Sequence, residues 1–311
     1  MTYTFRTSEN DAGRRLDRIL RTRWPQVPLG RIMGALRKGE VLLEGEPAEP
    51  SARPVSGQTI TVPWEAPRTK EPGTGRADLV FVFEGKSAWV LDKPAGLLVQ
   101  PAAPGDDSLI GRVWNRFEGE GDGFRPSAVN RLDRNTSGLV TVALSGPALR
   151  ALQEAWRARK VKKTYLAIVL GNAPSSGRID APIRKDPGKN RVETAPDGEP
   201  ALTHFVKVVG DDEMSLLRVE LVTGLSHQAR FHLAHRGFPI LGDPKYGRFG
   251  PNRFWAERGV HRPLLHAWMI EFPDLPPCLA DLSGRNLICP PPKDIREVLR
   301  FKGWLEYILG V

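Results

Sequence analysis

Asp133 lies in Asn130-Arg131-Leu132-Asp133-Arg134-Asn135-Thr136-Ser137-Gly138, a polar and charged loop that runs directly into the apolar stretch Leu139 to Leu144. A loop that enters a buried strand presents its side chains from a rigid scaffold, which makes Asp133 a candidate nucleophile. The same composition also suits a turn whose Asp, Asn and Ser/Thr side chains only satisfy their own backbone, and spacing alone leaves both readings open. Arg230 falls inside a helix predicted over Ser226 to Arg236, one turn above an N-cap at Ser226 and on a face shared with Ala234. A nearby guanidinium favours the charged form of a carboxylate and fixes its direction, as a nucleophilic Asp in a pocket would need. An ordinary ion pair is the alternative. Tyr165 follows Lys162-Lys163-Thr164 at the start of a predicted strand. Its ring could stack on an unstacked base, or fill the core with one wet end.

Other chemistries find less support. His232 and His235 stand three apart on one helix face, but that helix holds no carboxylate and no His-Glu-x-x-His spacing, so no metal site is expected. Packing or RNA contact is the expected use of His227 and its neighbours. The stretch Gly237 to Gly247 has the Gly and Pro density of a shaped turn, and no Gly-x-x-x-x-Gly-Lys-Ser/Thr pattern occurs, so nucleotide hydrolysis is not indicated. Cys278 and Cys289 read as reduced thiols.

These groups need elements to position them. Strand-like runs recur at Leu79 to Phe83, Ala88 to Leu91, Leu139 to Leu144, Thr164 to Leu170, Thr203 to Val209, Ser215 to Val222 and Leu264 to Phe272. Helices are expected at Pro147 to Lys160, Ser226 to Arg236 and Lys293 to Phe301. Neighbouring strands with irregularly interspersed helices favour an α+β fold over a doubly wound parallel sheet. Upstream, Arg14 to Arg23 and Leu29 to Arg37 read as two short helices, followed by strands at Val41 to Leu43 and Thr59 to Val62. Residues 1–62 are thus expected to form a helix-helix-hairpin domain, 63–78 a linker rich in Pro and Gly, and 79–311 a larger domain that carries Asp133, Tyr165 and Arg230. Arg14, Arg15, Arg18, Arg21, Arg23, Arg31, Arg37 and Lys38 share their segment with one acid, Asp17, which concentrates positive charge where a phosphate backbone could lie.

The composition agrees. The 311 residues are 40% hydrophobic and 26% charged, enough for two domains, and 45 Lys plus Arg against 36 Asp plus Glu give +9. That balance favours a polyanionic partner such as nucleic acid. Met1 to Asn10 lack the apolar run of a signal peptide, and no apolar stretch approaches the roughly 20 residues of a membrane helix. A cytoplasmic protein with no membrane partner is expected.

Taken in order, Arg131-Leu132-Asp133-Arg134-x-Thr136-Ser137-Gly138-Leu139, Lys163-x-Tyr165-Leu166-Ala167, Gly224-x-x-His227-Gln228-x-Arg230-x-His232-Leu233-Ala234 and Gly242-Asp243-Pro244-x-Tyr246-Gly247 resemble the RluA-type pseudouridine synthases. The resemblance extends upstream through Leu91-Asp92-Lys93-Pro94-Ala95-Gly96-Leu97 and downstream to Leu265-His266-Ala267. The N-terminal module resembles an S4 RNA-binding domain, and the pairing resembles the branch that modifies large-subunit ribosomal RNA. The resemblance implies a mixed, largely antiparallel central sheet with flanking helices. It implies conversion of uridine to pseudouridine in RNA without metal or organic cofactor. Ribosomal RNA or an assembling large subunit is the expected partner, and no DNA is expected. Asp133 matches the catalytic aspartate, Tyr165 the active-site tyrosine, Arg230 the basic residue paired with the aspartate, and Arg131 the arginine that enters the RNA as the target nucleotide leaves its stack. Arg134, His227, Gln228, Arg14, Arg15, Arg18, Arg31, Arg37 and Lys38 are the further expected RNA contacts. Two positions depart from the pattern: Asn130 stands where the family has His, and Leu225-Ser226 where it has Arg-Thr or Arg-Lys. Both are read as changes in substrate engagement. Action on transfer RNA, or a catalytically silent RNA-binding role in ribosome assembly, are the alternatives.

Overall fold

The computed structural model describes residues 2–67, 78–103, 105–117, 124–186 and 191–309. At the N-terminus β1 (Tyr3–Arg6), α1 (Leu16–Arg23), α2 (Leu29–Arg37), β2 (Leu42–Leu43), β3 (Glu46–Pro47) and β4 (Thr59–Val62) form two helices against a small sheet of order β1-β4-β2-β3. The helices bury Leu16, Leu20, Ile32 and Leu36 against Ile60 and Val62. Trp24 closes that core against Trp64, and its indole donates to Glu65 O at 2.8 Å. The core therefore continues into the first residues read as linker, of which 68–77 lie outside the described residues. Asn10 Oδ1 accepts from Gly146 N, joining this layer to the larger one.

The larger part runs β5 (Phe81–Glu84), β6 (Ala88–Lys93), α3 (Leu109–Arg116), β7 (Ser127–Ala128), β8 (Ser137–Ala143), α4 (Gly146–Arg157) and β9 (Lys162–Leu170). It continues with β10 (Ser176–Asp180), β11 (Ile183–Asp186), β12 (Arg191–Thr194), β13 (Leu202–Gly210), β14 (Met214–Leu221) and α5 (Gln228–His235). Then come α6 (Phe249–Ala256), β15 (Leu265–Glu271), β16 (Asn286–Ile288), α7 (Lys293–Phe301) and α8 (Glu306–Leu309). The main sheet has the order β10-β13-β14-β9-β15-β8-β6-β5, and among the described residues only β15 and β8 pair in parallel. This is the expected mixed, largely antiparallel sheet. No helix among the described residues is long and apolar enough to cross a membrane.

Both faces of the sheet are covered, which explains why β8 and β9 read as nearly continuous apolar runs instead of alternating ones. Along β9, Tyr165, Ala167 and Val169 enter the layer shared with α3 and α5, while Leu166, Ile168 and Leu170 meet α7 through Ile295, Val298 and Leu299. Ser108 and Ser145 cap α3 and α4, their hydroxyls accepting from Gly111 N and Ala148 N.

The parallel pair sets the narrowest tolerance. Gly138 has φ +109°, and a Cβ there would stand 2.2 Å from Ala267 O on β15. Gly138→Ala should therefore lower stability by more than about 3 kcal/mol in urea unfolding, from strain and backbone overlap together. Gly30→Ala, in open space on α2, should raise it by about 0.5–1 kcal/mol. Equal unfolding curves for Gly138→Ala and the native chain would show that β8 and β15 are not in this register.

Candidate active site

The loop between β7 and β8 is clasped at several points. Asn130 Oδ1 accepts from Thr141 N at 2.8 Å and its Nδ2 donates to Leu139 O at 3.2 Å, so the side chain continues the edge of β8. Thr136 N donates to Asp133 O at 3.0 Å, closing a turn. At the end of β6, Lys93 is 0% exposed, and its ammonium donates to Pro94 O, Leu97 O and Arg134 O at 2.8, 2.8 and 3.1 Å. Burial pulls its pKa down to about 7, Arg262 adding to the shift and Asp133 opposing it. Arg134 Nε returns to Gly96 O at 2.9 Å. Arg262 binds Asp294 of α7 through Nε and Nη2, at 2.6 and 2.9 Å, and donates from Nη1 to Asn135 O at 3.1 Å. Leu132 is buried by this arrangement, while Arg131 and Arg134 stay exposed.

The second half of the site comes from α5. This helix begins at Gln228, one residue later than an N-cap at Ser226 requires, because His227 takes a left-handed conformation with φ +57°. Gln228 is 1% exposed: its carbonyl accepts from Thr223 Oγ1 and Leu225 N, and its amide donates to Leu202 O and Thr203 Oγ1. Those four bonds use the whole amide inside the fold, which departs from the RNA contact expected for it. His232 is committed likewise, Nδ1 to Thr203 Oγ1 and Nε2 to Ala181 O.

Arg230, on the first turn, bridges two carboxylates. Nε and Nη2 donate to Asp243 at 2.7 and 2.9 Å, and Nη1 donates to Asp133 Oδ2 at 3.1 Å. Burial works against this charge, but the bonds and charge of Asp243, with those of Asp133, raise the guanidinium pKa overall. Asp243 is 1% exposed and is itself fixed by Lys245 N and Tyr246 N. Gly242, at φ +78°, lets this turn pass so close to Arg262 O that a Cβ would lie 2.2 Å from it. Asn252 of α6 brackets the turn, accepting from Gly242 N and donating to Asp243 O, both at 2.9 Å. The Tyr246 hydroxyl accepts from Val192 N at 2.9 Å and pairs with His227 Nδ1 at 3.0 Å. That leaves His227 Nε2 facing Asp133 Oδ2 at 3.9 Å, beyond hydrogen-bond range.

Asp133, Tyr165 and Arg230 meet in one cavity of about 300 Å³, walled also by Leu132, Leu221 and Leu265. That lies at the small end of the range for pockets holding a small organic group, with apolar walls and few polar groups. Asp133 Oδ1 has no hydrogen-bond partner among the described residues, so one carboxylate oxygen is held and the other is open. Burial, and then the charge of Asp133, push the Tyr165 phenol pKa up, so it stays protonated at neutral pH.

The basic helices are less uniformly free than their sequence suggests. Arg15 pairs with Asp17 at 3.0 Å, Arg14 bonds Thr22, and Arg23 pairs at 2.6 Å with Asp11, an acid just upstream of the charged segment. Arg18, Arg31, Arg37 and Lys38 are exposed.

The family model for RNA pseudouridylate synthase matches residues 87–235. Ribosomal large subunit pseudouridine synthase D of Xanthomonas campestris pv. campestris is 34% identical over 303 residues, 94% of this chain and 89% of that protein. This chain belongs to the RNA pseudouridylate synthase family. An uncharacterized RNA pseudouridine synthase of Chloroflexus aurantiacus is 36% identical over 293 residues, 92% of this chain and 89% of that one. Human RNA Pseudouridylate Synthase Domain Containing 4 shares the fold, with TM-score 0.55 at 24% identity over 73% of this chain and 93% of its own. The protein is thus an RNA pseudouridine synthase, an isomerase whose substrate is RNA. Asp243, Lys93 and Arg262 are the positions in this synthase that motif spacing passed over. The Gly242-Asp243-Pro244 turn was a visible signal, but nothing in its spacing pointed to a partner on α5.

Buried histidines give the synthase a defined acid response. Burial lowers the pKa values of His232 and His266, whose ring nitrogens are all bonded inside the fold. The unfolded chain, with histidines near about 6.5, then takes up protons that the folded chain refuses, so stability present above about pH 6.5 is lost as pH falls. Between pH 7 and pH 5, His232→Gln should lose less stability than the native chain, by up to about 1.4 kcal/mol per pH unit. Identical pH slopes would contradict the assignment.

Proposed function

We propose that the synthase isomerises uridine in large-subunit ribosomal RNA with Asp133 as its essential carboxylate. The observation that carries this reading is the Asp133 carboxylate itself, held through Oδ2 by Arg230 and open at Oδ1 toward a uracil-sized cavity that Tyr165 walls. A base stacked in a helix cannot expose its glycosidic bond, so the target uridine has to leave the stack and be held by stacking and edge contacts. Arg131, exposed on the same loop, is the proposed side chain that enters the space it leaves. The Tyr165 ring is the proposed stacking surface. Its protonated phenol makes the ring, and not a phenolate base, what it offers uracil at neutral pH.

The reaction breaks the bond from ribose C1′ to uracil N1, turns the uracil, and joins C1′ to C5, releasing the C5 proton. A carboxylate at Asp133 serves either of two routes: attack of Oδ1 on C1′, or assistance to uracil departure through a glycal. Both require the open oxygen that Arg230 leaves. Ribosomal RNA is favoured over transfer RNA because relatives at 31% and 34% identity over most of the chain are named large-subunit synthases. Residues 1–62 are proposed as an S4-like RNA-binding domain, supported by the exposed Arg18, Arg31, Arg37 and Lys38 on α1, α2 and the C-terminal end of α2. The reading puts the protein in the cytoplasm with its RNA.

Tritium release from uracil C5 tests the reading, using ribosomal and transfer RNA transcripts with native protein and Asp133→Asn. Native protein should release tritium from ribosomal RNA. Asp133→Asn should lower the rate by more than about 1,000-fold while leaving RNA affinity within about threefold. Retained turnover in Asp133→Asn would sink the mechanism, and release from transfer RNA alone would sink the substrate.

A further inference from the structure

Lys163 stands apart from the other buried and half-buried cations around the pocket. It lies two residues before Tyr165 on β9, and strand alternation sends both side chains to the same face, where both line the cavity. Its ammonium lies against Gly224, whose missing side chain leaves it room: a Cβ there would stand 3.6 Å from Nζ. No carboxylate or carbonyl among the described residues accepts a hydrogen bond from it. Arg230, by contrast, is occupied by two carboxylates, and Lys93 by three carbonyls. Burial lowers the Lys163 pKa, with no neighbouring charge to offset it. The wall from Leu221 to Ser226 carries no charge of its own, so Lys163 alone makes that side of the pocket positive.

A half-buried ammonium without a partner is costly unless something else supplies the anion. The carboxylates Asp133 and Asp243 are engaged by Arg230, and RNA brings a negative charge on every linkage. We propose that Lys163 binds an RNA phosphodiester flanking the uridine that enters the pocket, fixing the strand so that C1′ meets Asp133. The assignment rests on the reading of this cavity as the uridine site. A charge-assisted bond to phosphate is directional and also releases a counterion, and these two properties separate it from a packing role.

The test compares native protein, Lys163→Met, Lys163→Arg and Lys162→Met, the last removing a charge from the opposite face of β9. Affinity for a large-subunit ribosomal RNA transcript is measured against salt concentration, and tritium release gives KM and kcat. Lys163→Met should flatten the plot of log affinity against log salt by about 0.7, the share of one single-strand phosphate. It should raise KM by about tenfold or more, as for a lost charged hydrogen bond, with kcat within about threefold. Lys163→Arg should restore both, and Lys162→Met should change neither. A native salt slope in Lys163→Met, or failure of Lys163→Arg to restore it, overturns the assignment. The slope is read from binding alone, so it judges Lys163 even if no RNA is turned over, an outcome that would count against the proposed reaction instead.

Discussion

The Arg230 guanidinium holds Asp133 and Asp243 at once, and the arrangement of the site follows from that sharing. The three residues come from distant parts of the chain: Asp133 from the loop before β8, Arg230 from the first turn of α5, and Asp243 from the turn after Gly242. Bringing them together requires backbone approaches that tolerate no side chain at Gly138 and Gly242. It also requires two clasps on consecutive carbonyls just after Asp133, Lys93 at Arg134 and Arg262 at Asn135. Arg262 joins that loop to α7, and Asn252 joins the Asp243 turn to α6, so helices far from the cavity hold its geometry.

The ionic trio is a poor device for stability alone. Removing charges from water costs several kcal/mol per ion, and well-packed apolar side chains often fill such space as well or better. What an apolar trio could not do is hold one oxygen of Asp133 and leave the other open. Asp243 serves this end without reaching the cavity: it takes two of the guanidinium's donors and leaves Nη1 for Asp133. Tyr246 extends the same order to His227, its hydroxyl pairing with Nδ1 and so turning Nε2 toward the carboxylate.

Much of this was legible in the sequence, for identifiable reasons. The central strands stood out because burial on both faces makes them continuous apolar runs, whereas local pattern left the uses of Asp133, Tyr165 and Arg230 open and only the resemblance of their motifs drew the three together. The start of α5 was misplaced since Ser226 is an ordinary cap residue, while the left-handed turn at His227 has no local signature. Gln228 was expected to contact RNA from the family pattern, and two of its four amide partners, Leu202 and Thr203, lie on the distant strand β13 where the sequence carries no sign of them. Strand β1 was overlooked although Tyr3 to Arg6 alternate in exposure, and α3 although Ser108 caps it. The pairing of Arg23 with Asp11 shows the limit of counting charges within one segment. Tertiary partners of a polar side chain are what a single sequence conceals most completely.

Asp243 reaches the chemistry only through Arg230 and Asp133. Single-turnover rates and RNA affinity of Asp243→Asn, Asp133→Asn and the double variant test it directly. Asp243→Asn should slow the chemical step by about tenfold or more with RNA affinity unchanged, and should add nothing once Asp133 is already Asn, as for residues acting as one unit. A native single-turnover rate in folded Asp243→Asn would contradict it.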